Sequence, residues 1–312
     1  MPSVSDNKAR SNPKTAFKTI DDFFTINSQK MRSPKFWFVI MLIYISFLNF
    51  LALKTTPEVI FLQYFVLIIV FLRFRAHDFI HSWLPFIGLF LLYEFLRGFA
   101  DDISPFKDIT LFWVNNFEIT LFGKLPTKIL QDAFAQNFVL VNTSLFFYTL
   151  FFYYSFFVGF VFWLKAPDKF GEYFKRFLLV SFAGLLLFFF IPTAPPWYVD
   201  AIEELGIERL IYNGWIMRQF SSLSLYQYFI YGNAVAALPS LHSAWPMFTS
   251  LYLIKTLKTK LRFLFLVIPL MIGFSVVLAA EHYVIDVVVA FLLAYIVFKI
   301  NLIPKKPLKK FS

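Results

Sequence analysis

The chain contains LPSLHS at residues 238–243 and EHYVID at residues 281–286, and each stretch leads directly into a long apolar run. Each motif therefore places a histidine at the start of a hydrophobic helix, in a chain with only four histidines. Titratable side chains at membrane depth are costly, and those that occur there usually mark a functional site. The two motifs predict a site at one end of a bundle of apolar helices.

The composition is that of a membrane protein. Of the 312 residues, 59% are hydrophobic, 22% are aromatic and 15% are charged, whereas about a quarter of the residues in soluble domains are charged. We therefore predict an all-α, polytopic transmembrane helical bundle of about 6–8 spans. The chain has no cysteine, which excludes disulfides, thiol catalysis and cysteine-ligated zinc or iron–sulfur sites.

Eight apolar runs approach the length of about 20 residues that a helix needs to cross a bilayer. They cover residues 36–53, 58–72, 82–98, 138–164, 177–192, 240–254, 263–280 and 283–303. The segment 105–135 mixes aromatic and polar residues, which predicts a surface or re-entrant helix. The expected organisation is a basic tail (1–35), N-terminal spans with an interfacial segment (36–135), a catalytic transmembrane core (136–303) and a second basic tail (304–312).

The basic residues predict the orientation of the chain in the cell membrane. In this topology, 22 of the 29 lysines and arginines fall on the side that holds both termini. The positive-inside rule therefore predicts cytoplasmic N and C termini. The first 35 residues are polar and basic, so we expect no cleavable signal peptide. We expect no nucleic-acid partner, which would need a basic patch on a soluble face.

The same topology brings the polar motifs to the extracytoplasmic face. Predicted spans open there at Pro239 and His282, and PTAPPW at residues 192–197 closes a span there. An earlier span ends on that face with Glu94 and Arg97. Segments that are distant in sequence are thus expected to converge on one side of the membrane.

The residue types at this point suit phosphoryl transfer. His282 and Asp286 are four residues apart, so on a helix their side chains share one face. An aspartate that accepts a hydrogen bond from one imidazole nitrogen fixes the tautomer and raises the basicity of the other nitrogen. His282 is the candidate nucleophile, and His242 is the candidate general acid and base. Ser240 is a candidate cap for a helix whose positive end suits an anionic phosphate.

Other interpretations of these residues remain open. Either motif alone is common and is usually structural. A zinc site is a second chemical interpretation, with four potential ligands: His242, Glu281, His282 and Asp286. A lipid or solute transporter would use the polar cluster as a substrate or proton relay. Most of the spans carry almost no charge, which disfavours that third interpretation.

The two motifs resemble the second and third signatures of the type 2 phosphatidic acid phosphatase superfamily. The chain most resembles the inositol phosphorylceramide synthase (aureobasidin-resistance) inositolphosphotransferase branch, through PTAPPW at 192–197 and YEFLRG at 93–98. The resemblance implies a phosphatidic-acid-phosphatase-type helical core without a metal or organic cofactor. It also implies His282 as nucleophile, Asp286 as its orienting partner and His242 as general acid and base.

The chain departs from that superfamily in its phosphate-binding arginines. It contains no Arg-Pro pair, and Val276 stands where the superfamily's Ser-Arg pair has its arginine, after Ser275. Phosphoryl transfer still needs a cation to stabilise the equatorial oxygens. The candidate phosphate-binding residues are Arg97, Arg218, Ser240 and Tyr283.

These observations predict an integral membrane enzyme that transfers a phosphoryl or phospho-headgroup through a phosphohistidine at the extracytoplasmic face. An alcohol acceptor would make it a lipid phosphotransferase, which the resemblance favours. Water as acceptor would make it a lipid phosphate or pyrophosphate phosphatase. The expected partners are the lipid bilayer, a membrane lipid-phosphate substrate and an alcohol acceptor.

Overall fold

The computed structural model describes residues 76–100, 102–212 and 235–300. These residues form helices and turns without a β-strand. The helices are α1 (Ala76–Arg97), α2 (Lys107–Thr110), α3 (Trp113–Phe122), α4 (Pro126–Phe134), α5 (Phe138–Lys165), α6 (Pro167–Phe190), α7 (Pro196–Glu203), α8 (Leu241–Thr256), α9 (Val267–Leu278) and α10 (Val284–Lys299). Short 3₁₀ helices lie at Leu210–Tyr212 and Lys260–Leu266.

The chain divides into two compact units, Met1–Trp83 and Leu84–Ser312. The described part of the first unit is the start of α1. The second unit contains the rest of α1 and all the other helices. The site is therefore described within the second unit.

Four helical stretches of the described chain are long and apolar enough to cross a membrane: Asp78–Arg97, Phe138–Lys165, Pro167–Phe190 and Lys260–Leu278. Large hydrophobic side chains are exposed along them, including Leu91, Phe157, Leu186 and Leu270. Such a surface suits lipid, where a helix satisfies its own backbone polar groups. The prediction of an all-α membrane protein is confirmed.

The predicted number of spans is not reached among the described residues. The predicted runs 36–53 and 58–72 lie outside the described residues. Helices α8 and α10 have 16 residues each, which gives them a length of about 24 Å. A total of six to eight spans therefore stays a prediction.

The observed helix ends differ most from prediction where charged residues flank an apolar run. Helix α6 begins at Pro167 instead of residue 177, because Pro at the first helical position and Asp168 in the first turn favour a helix start. The apolar run predicted at 263–280 begins as the 3₁₀ helix at Lys260–Leu266 and becomes α-helical at Val267. The segment 105–135 forms three short helices, α2, α3 and α4.

Helix α8 lies at the centre of the bundle and contacts α5, α6, α9 and α10. Its buried polar side chains bond to its neighbours: Trp245 Nε1 donates to Ser181 Oγ on α6 at 3.0 Å, and Thr249 Oγ1 donates to Ser155 Oγ on α5 at 3.1 Å. Interhelical hydrogen bonds of this kind help to fix the packing of membrane helices. They position the first turn of α8, which carries His242.

Two glycines allow the helices that carry the site to approach closely. A Cβ atom at Gly184 would lie 2.8 Å from Leu241 Cδ2, and one at Gly273 would lie 2.9 Å from Val287 Cγ1. Small residues are typical where membrane helices pack backbone to backbone. The two contacts lie beside the polar motifs, at the starts of α8 and α10.

Candidate active site

The structure brings the two motif histidines together. His242 Nδ1 lies 3.0 Å from His282 Nε2, and the ring centroids are 5.2 Å apart. His242 is partly buried, and only 5% of His282 is exposed. The two imidazoles are thus in direct hydrogen-bond contact.

Asp286 lies at the start of α10 and serves as a cap for that helix. The helix begins at Val284, and Asp286 Oδ2 accepts a hydrogen bond from the backbone N–H of Tyr283 at 2.9 Å. His282 therefore lies in the turn before the helix, and the prediction that both side chains share a helical face is wrong in this respect. The turn still brings His282 Nδ1 to 3.4 Å from Asp286 Oδ2.

The nearest acceptor for His282 Nδ1 is a backbone carbonyl, which sequence reasoning missed. The oxygen of Ala237 lies 2.9 Å from Nδ1. A carbonyl oxygen only accepts hydrogen bonds, so Nδ1 must carry the proton in this contact. In the neutral ring, Nε2 then has a free lone pair directed towards His242. This is the tautomer that a nucleophilic histidine needs.

The turn between α9 and α10 sets the direction of the His282 backbone. Ala280 N–H donates to Val277 O at 3.1 Å and Glu281 N–H donates to Val276 O at 3.0 Å, which is the pair of bonds in a Schellman motif. Ala280 has a φ of +66°, in the left-handed region that glycine usually occupies at this position. The chain therefore holds a strained residue two positions before His282.

The proline-rich turn at 192–197 ties both motif segments together. Thr193 donates from its N–H to Val235 O at 2.8 Å and accepts at its own carbonyl from Ala237 N–H at 3.1 Å. Trp197 N–H donates to Ala280 O at 3.2 Å. These backbone bonds hold the proline-rich turn next to the segments that carry the histidines.

Two predicted phosphate contacts are buried in the protein. Ser240 is the N-cap residue of α8, but its side chain makes no cap hydrogen bond and donates to Ser243 Oγ at 3.2 Å. Ser240 thus occupies the expected N-cap position without a side-chain cap hydrogen bond. Tyr283 is fully buried, and among the described residues its hydroxyl has no hydrogen-bond partner. Ser240 N–H instead joins the two motifs by donating to Asp286 O at 3.2 Å.

The structure describes one of the two arginines that the sequence favoured. Arg97 forms an ion pair with Glu94, with Nε 3.0 Å and Nη2 2.9 Å from Oε2. Arg218 lies outside the described residues.

A third arginine lies directly beside the second motif. Arg209 forms a bidentate ion pair with Glu281, with Nε 2.6 Å from Oε1 and Nη2 3.0 Å from Oε2. Its guanidinium stacks 4.0 Å from the centre of the Trp197 ring. The sequence showed only an arginine in a loop, because its position depends on how that loop folds over the site.

Two aromatic side chains of α5 surround His242. Tyr148 Oη lies 3.3 Å from His242 Nε2, and the two rings stack with centroids 5.1 Å apart. The Phe151 ring lies 4.3 Å from the imidazole. Both come from the aromatic-rich run of α5, where no sequence signal separates residues that contact the site from residues that pack the core.

A carboxylate from the interfacial segment reaches the start of α10. Glu118 on α3 is fully buried, and its Oε1 accepts from Ile285 N–H on α10 at 2.8 Å. Burial, with a smaller contribution from the negative charge of Asp286, raises the pKa of Glu118 to about 7, against the effect of the backbone hydrogen bond. Sequence reasoning missed this residue because it assigned the segment to a surface or re-entrant helix without contacts to the site.

The described residues offer no support for the zinc interpretation. Residues 76–100, 102–212 and 235–300 contain no group of three or more histidine, aspartate or glutamate side chains placed to hold a metal ion. Glu281, one of the four possible ligands, is held by Arg209.

The structure is an apolar helical bundle in which two histidines face each other, with a carboxylate beside them at a helix start. These features are those of an integral membrane protein with a paired-histidine centre. The chain belongs to the PAP2 superfamily, whose family model matches residues 113–300. The match runs from α3 to the end of α10 and includes His242, His282 and Asp286. Membership indicates a lipid phosphatase or phosphotransferase and does not identify the inositolphosphotransferase branch. No curated protein and no solved structure matches the chain.

Proposed function

We propose that this protein is an integral membrane lipid phosphotransferase that moves a phosphoryl or phospho-headgroup from a lipid phosphate through a phosphohistidine on His282. The supporting observation is the 3.0 Å approach of His242 Nδ1 to His282 Nε2. It pairs the lone pair of one imidazole with a second imidazole that can donate or accept a proton. Superfamily membership supports the same reaction class.

The first step forms the covalent intermediate. The Nε2 lone pair of His282 attacks phosphorus, and the bond between phosphorus and the ester oxygen of the lipid breaks. The leaving oxygen keeps the bonding electrons and takes a proton from the imidazolium form of His242. The products of this step are a protonated leaving group, a neutral His242 and a phosphohistidine.

The second step transfers the group to an acceptor. Neutral His242 takes the proton of an acceptor hydroxyl, and the acceptor oxygen attacks phosphorus. The bond between phosphorus and His282 Nε2 breaks, and its electrons return to the ring. Histidine suits both steps because its ordinary proton affinity lies near physiological pH.

Two acceptors orient the nucleophile in this proposal. The Ala237 carbonyl at 2.9 Å and the Asp286 carboxylate at 3.4 Å both face the protonated Nδ1 of His282. They keep Nε2 free and stabilise the positive charge that the ring gains when it bonds to phosphorus.

Arg209 is the best-placed candidate for the cation that stabilises the phosphate oxygens. It is held beside the nucleophile through its ion pair with Glu281, and a guanidinium matches phosphate geometry. Arg97 is the second candidate, because it lies in the last turn of α1. Either arginine would take over the task of the superfamily arginine that Val276 replaces.

Restricted access of water supports an alcohol as acceptor. His282 is 5% exposed, and the rings of Tyr148 and Phe151 flank His242. In this proposal a lipid alcohol approaches along the apolar helices that flank the site. The charge distribution supports an extracytoplasmic position for the reaction.

The acceptor can be tested with purified protein and phosphorus-labelled lipid phosphates, with and without lipid or polyol alcohols. The proposal predicts that label moves to the alcohol faster than it appears as inorganic phosphate. Release of inorganic phosphate alone, at a rate that no alcohol changes, would make the protein a phosphatase. His81→Ala is the control for His242→Ala and His282→Ala, since His81 is an exposed residue of α1.

A further inference from the structure

We propose that Tyr148 is the positioning residue of the general acid and base: its hydroxyl holds His242 in both of the protonation states that the reaction needs. The inference rests on the proposed function, because it assigns a partner to the proposed role of His242. It adds a residue of α5 to the paired-histidine centre.

Two contacts define how Tyr148 holds the imidazole. Its Oη lies 3.3 Å from His242 Nε2, and its ring stacks on the imidazole with an interplanar angle of 26°. Only 6% of Tyr148 is exposed. The hydroxyl therefore meets His242 on the side opposite to His282, which lies at Nδ1.

The hydrogen-bond pattern fixes the direction of the proton in each contact. His282 Nδ1 must donate to the Ala237 carbonyl, so Nε2 of the neutral His282 ring can only accept. His242 Nδ1 must then be the donor in the 3.0 Å contact between the histidines. In neutral His242 this leaves Nε2 as an acceptor, and the Tyr148 hydroxyl donates to it.

Protonation of His242 reverses only the last of these contacts. The imidazolium carries a proton on each nitrogen, so Nε2–H becomes a donor and the Tyr148 oxygen becomes the acceptor. A hydroxyl can serve in both directions by rotating its hydrogen. A neutral hydroxyl also adds no fixed charge to the apolar surface of α5. The proton that goes to the leaving oxygen comes from Nδ1, the nitrogen that faces His282, so Nε2 keeps its proton and continues to donate to the Tyr148 oxygen. Tyr148 can therefore keep the ring in place while Nδ1 of His242 loses and regains a proton.

The packing of the imidazole does not depend on the hydroxyl. The Tyr148 ring stacks on one side and the Phe151 ring lies 4.3 Å from the imidazole. Tyr148→Phe would remove the hydrogen bond and leave the stacking ring. The variant thus separates the polar contact from the shape of the site.

Helix α5 supplies a matched control. Tyr154 lies on the same helix, and its hydroxyl also bonds to α8, at 3.0 Å from Ser250 Oγ. Tyr154→Phe removes a hydroxyl and a similar interhelical bond without touching a histidine. Any general effect of losing a tyrosine hydroxyl from the α5–α8 interface should appear in both variants.

The test compares two substrates with the two variants. With a lipid phosphate, Tyr148→Phe should lower kcat, through the rate of phosphohistidine formation, by about tenfold or more, because a hydrogen bond to a charged group is lost. The KM should change little. With a nitrophenyl phosphate ester, whose leaving group needs no proton, the loss should shrink to less than about twofold. Tyr154→Phe should match the wild type with both substrates.

The inference is overturned if Tyr148→Phe keeps the wild-type kcat with the lipid phosphate. It is also overturned if the loss is equal with both substrates or is shared by Tyr154→Phe, because each result indicates a structural role. Failure of the proposed function would look different: His282→Ala would still turn over, and no phosphohistidine would form in the wild type. A labelled His282 with an unaffected Tyr148→Phe would remove the role of Tyr148 alone.

Discussion

At the residue scale, the carboxylate of Asp286 serves two partners. Its Oδ2 accepts from the Tyr283 backbone N–H at 2.9 Å and lies 3.4 Å from His282 Nδ1. The first contact stabilises the start of α10, and in the proposed mechanism the second orients the nucleophile. The same atom therefore couples the folding of the helix to the geometry of the site.

Substitutions at Asp286 should separate these two contributions. Asp286→Asn keeps an oxygen that can accept from Tyr283 N–H but loses the charge, so we expect kcat to fall by about 10²-fold to 10⁴-fold with little change in stability. Asp286→Ala also loses the cap, which should cost about 1 kcal/mol of the free energy of unfolding. Turnover assays and thermal unfolding in detergent measure the two effects. An Asn variant with wild-type turnover would contradict the orienting role.

Glu118 should make the stability of the protein depend on pH. Burial raises the pKa of its folded state to about 7 from 4.5, with Asp286 adding to the effect. The folded protein thus prefers the protonated carboxyl, and this contribution to stability is full below pH 4.5 and is lost as the pH rises through about 7. Asp286 and Tyr283 face the same carboxyl and are unchanged in the Glu118 variant.

Glu118→Gln should remove that dependence, because glutamine imitates the protonated carboxyl and does not titrate. We expect the unfolding temperature of the wild type, relative to this variant, to fall between pH 5 and pH 8. Glu204→Gln, an exposed carboxylate in the same unit, is the control. A constant difference across this pH range would show that Glu118 does not titrate in the folded protein.

The sequence was sufficient to predict that the two motif histidines lie close together. The two histidines were expected on one face of the membrane, and they meet at 3.0 Å. It was not sufficient for Tyr148, Glu118 or the Ala237 carbonyl. A tyrosine in an aromatic run has no distinguishing pattern, and a backbone carbonyl has no side chain to identify it. Such contacts depend on tertiary packing.

At the element scale, the close packing of α9 on α10 depends on Gly273. Gly273→Ala would bring a methyl group to 2.9 Å from Val287 Cγ1, and overpacking of this kind costs about 1–3 kcal/mol. We expect a lower unfolding temperature and lower activity, because Val287 follows Asp286 directly. Adding Val287→Ala should restore part of both by making room for the methyl group.

Gly171 provides the comparison for this prediction. It lies exposed in α6, and a Cβ atom there would meet nothing within 4 Å. Gly171→Ala should therefore stabilise the helix by about 0.5–1 kcal/mol. If Gly273→Ala were equally well tolerated in thermal unfolding, the close approach of α9 and α10 would be wrong.

Apolar runs predicted the positions of the helices better than their ends. Helix α5 was predicted at 138–164 and is observed at Phe138–Lys165. Helix α6 begins earlier than its apolar run, because its first turns are polar yet favourable for a helix. The interfacial segment was predicted as a surface or re-entrant helix, and the burial of Glu118 arises only when α3 meets the start of α10.

At the scale of the whole molecule, the charge distribution predicts which side of the membrane holds the site. The chain contains no cysteine, so single cysteines can report sidedness without background. Asp102 is exposed on the face predicted to be extracytoplasmic, and Lys258 is exposed on the opposite one. A membrane-impermeant maleimide should label Asp102→Cys in intact cells and Lys258→Cys only after the membrane is opened. The reverse pattern would place the site in the cytoplasm.

The most direct test of the central claim is to trap the covalent intermediate. Purified protein is incubated with a lipid phosphate labelled at phosphorus, quenched in alkali and digested, and the label is assigned to a peptide. We predict an acid-labile phosphohistidine on His282 that forms as fast as turnover and is absent from His282→Ala, which should be inactive. Unlabelled wild-type protein during turnover, together with full activity of His282→Ala, would contradict the account.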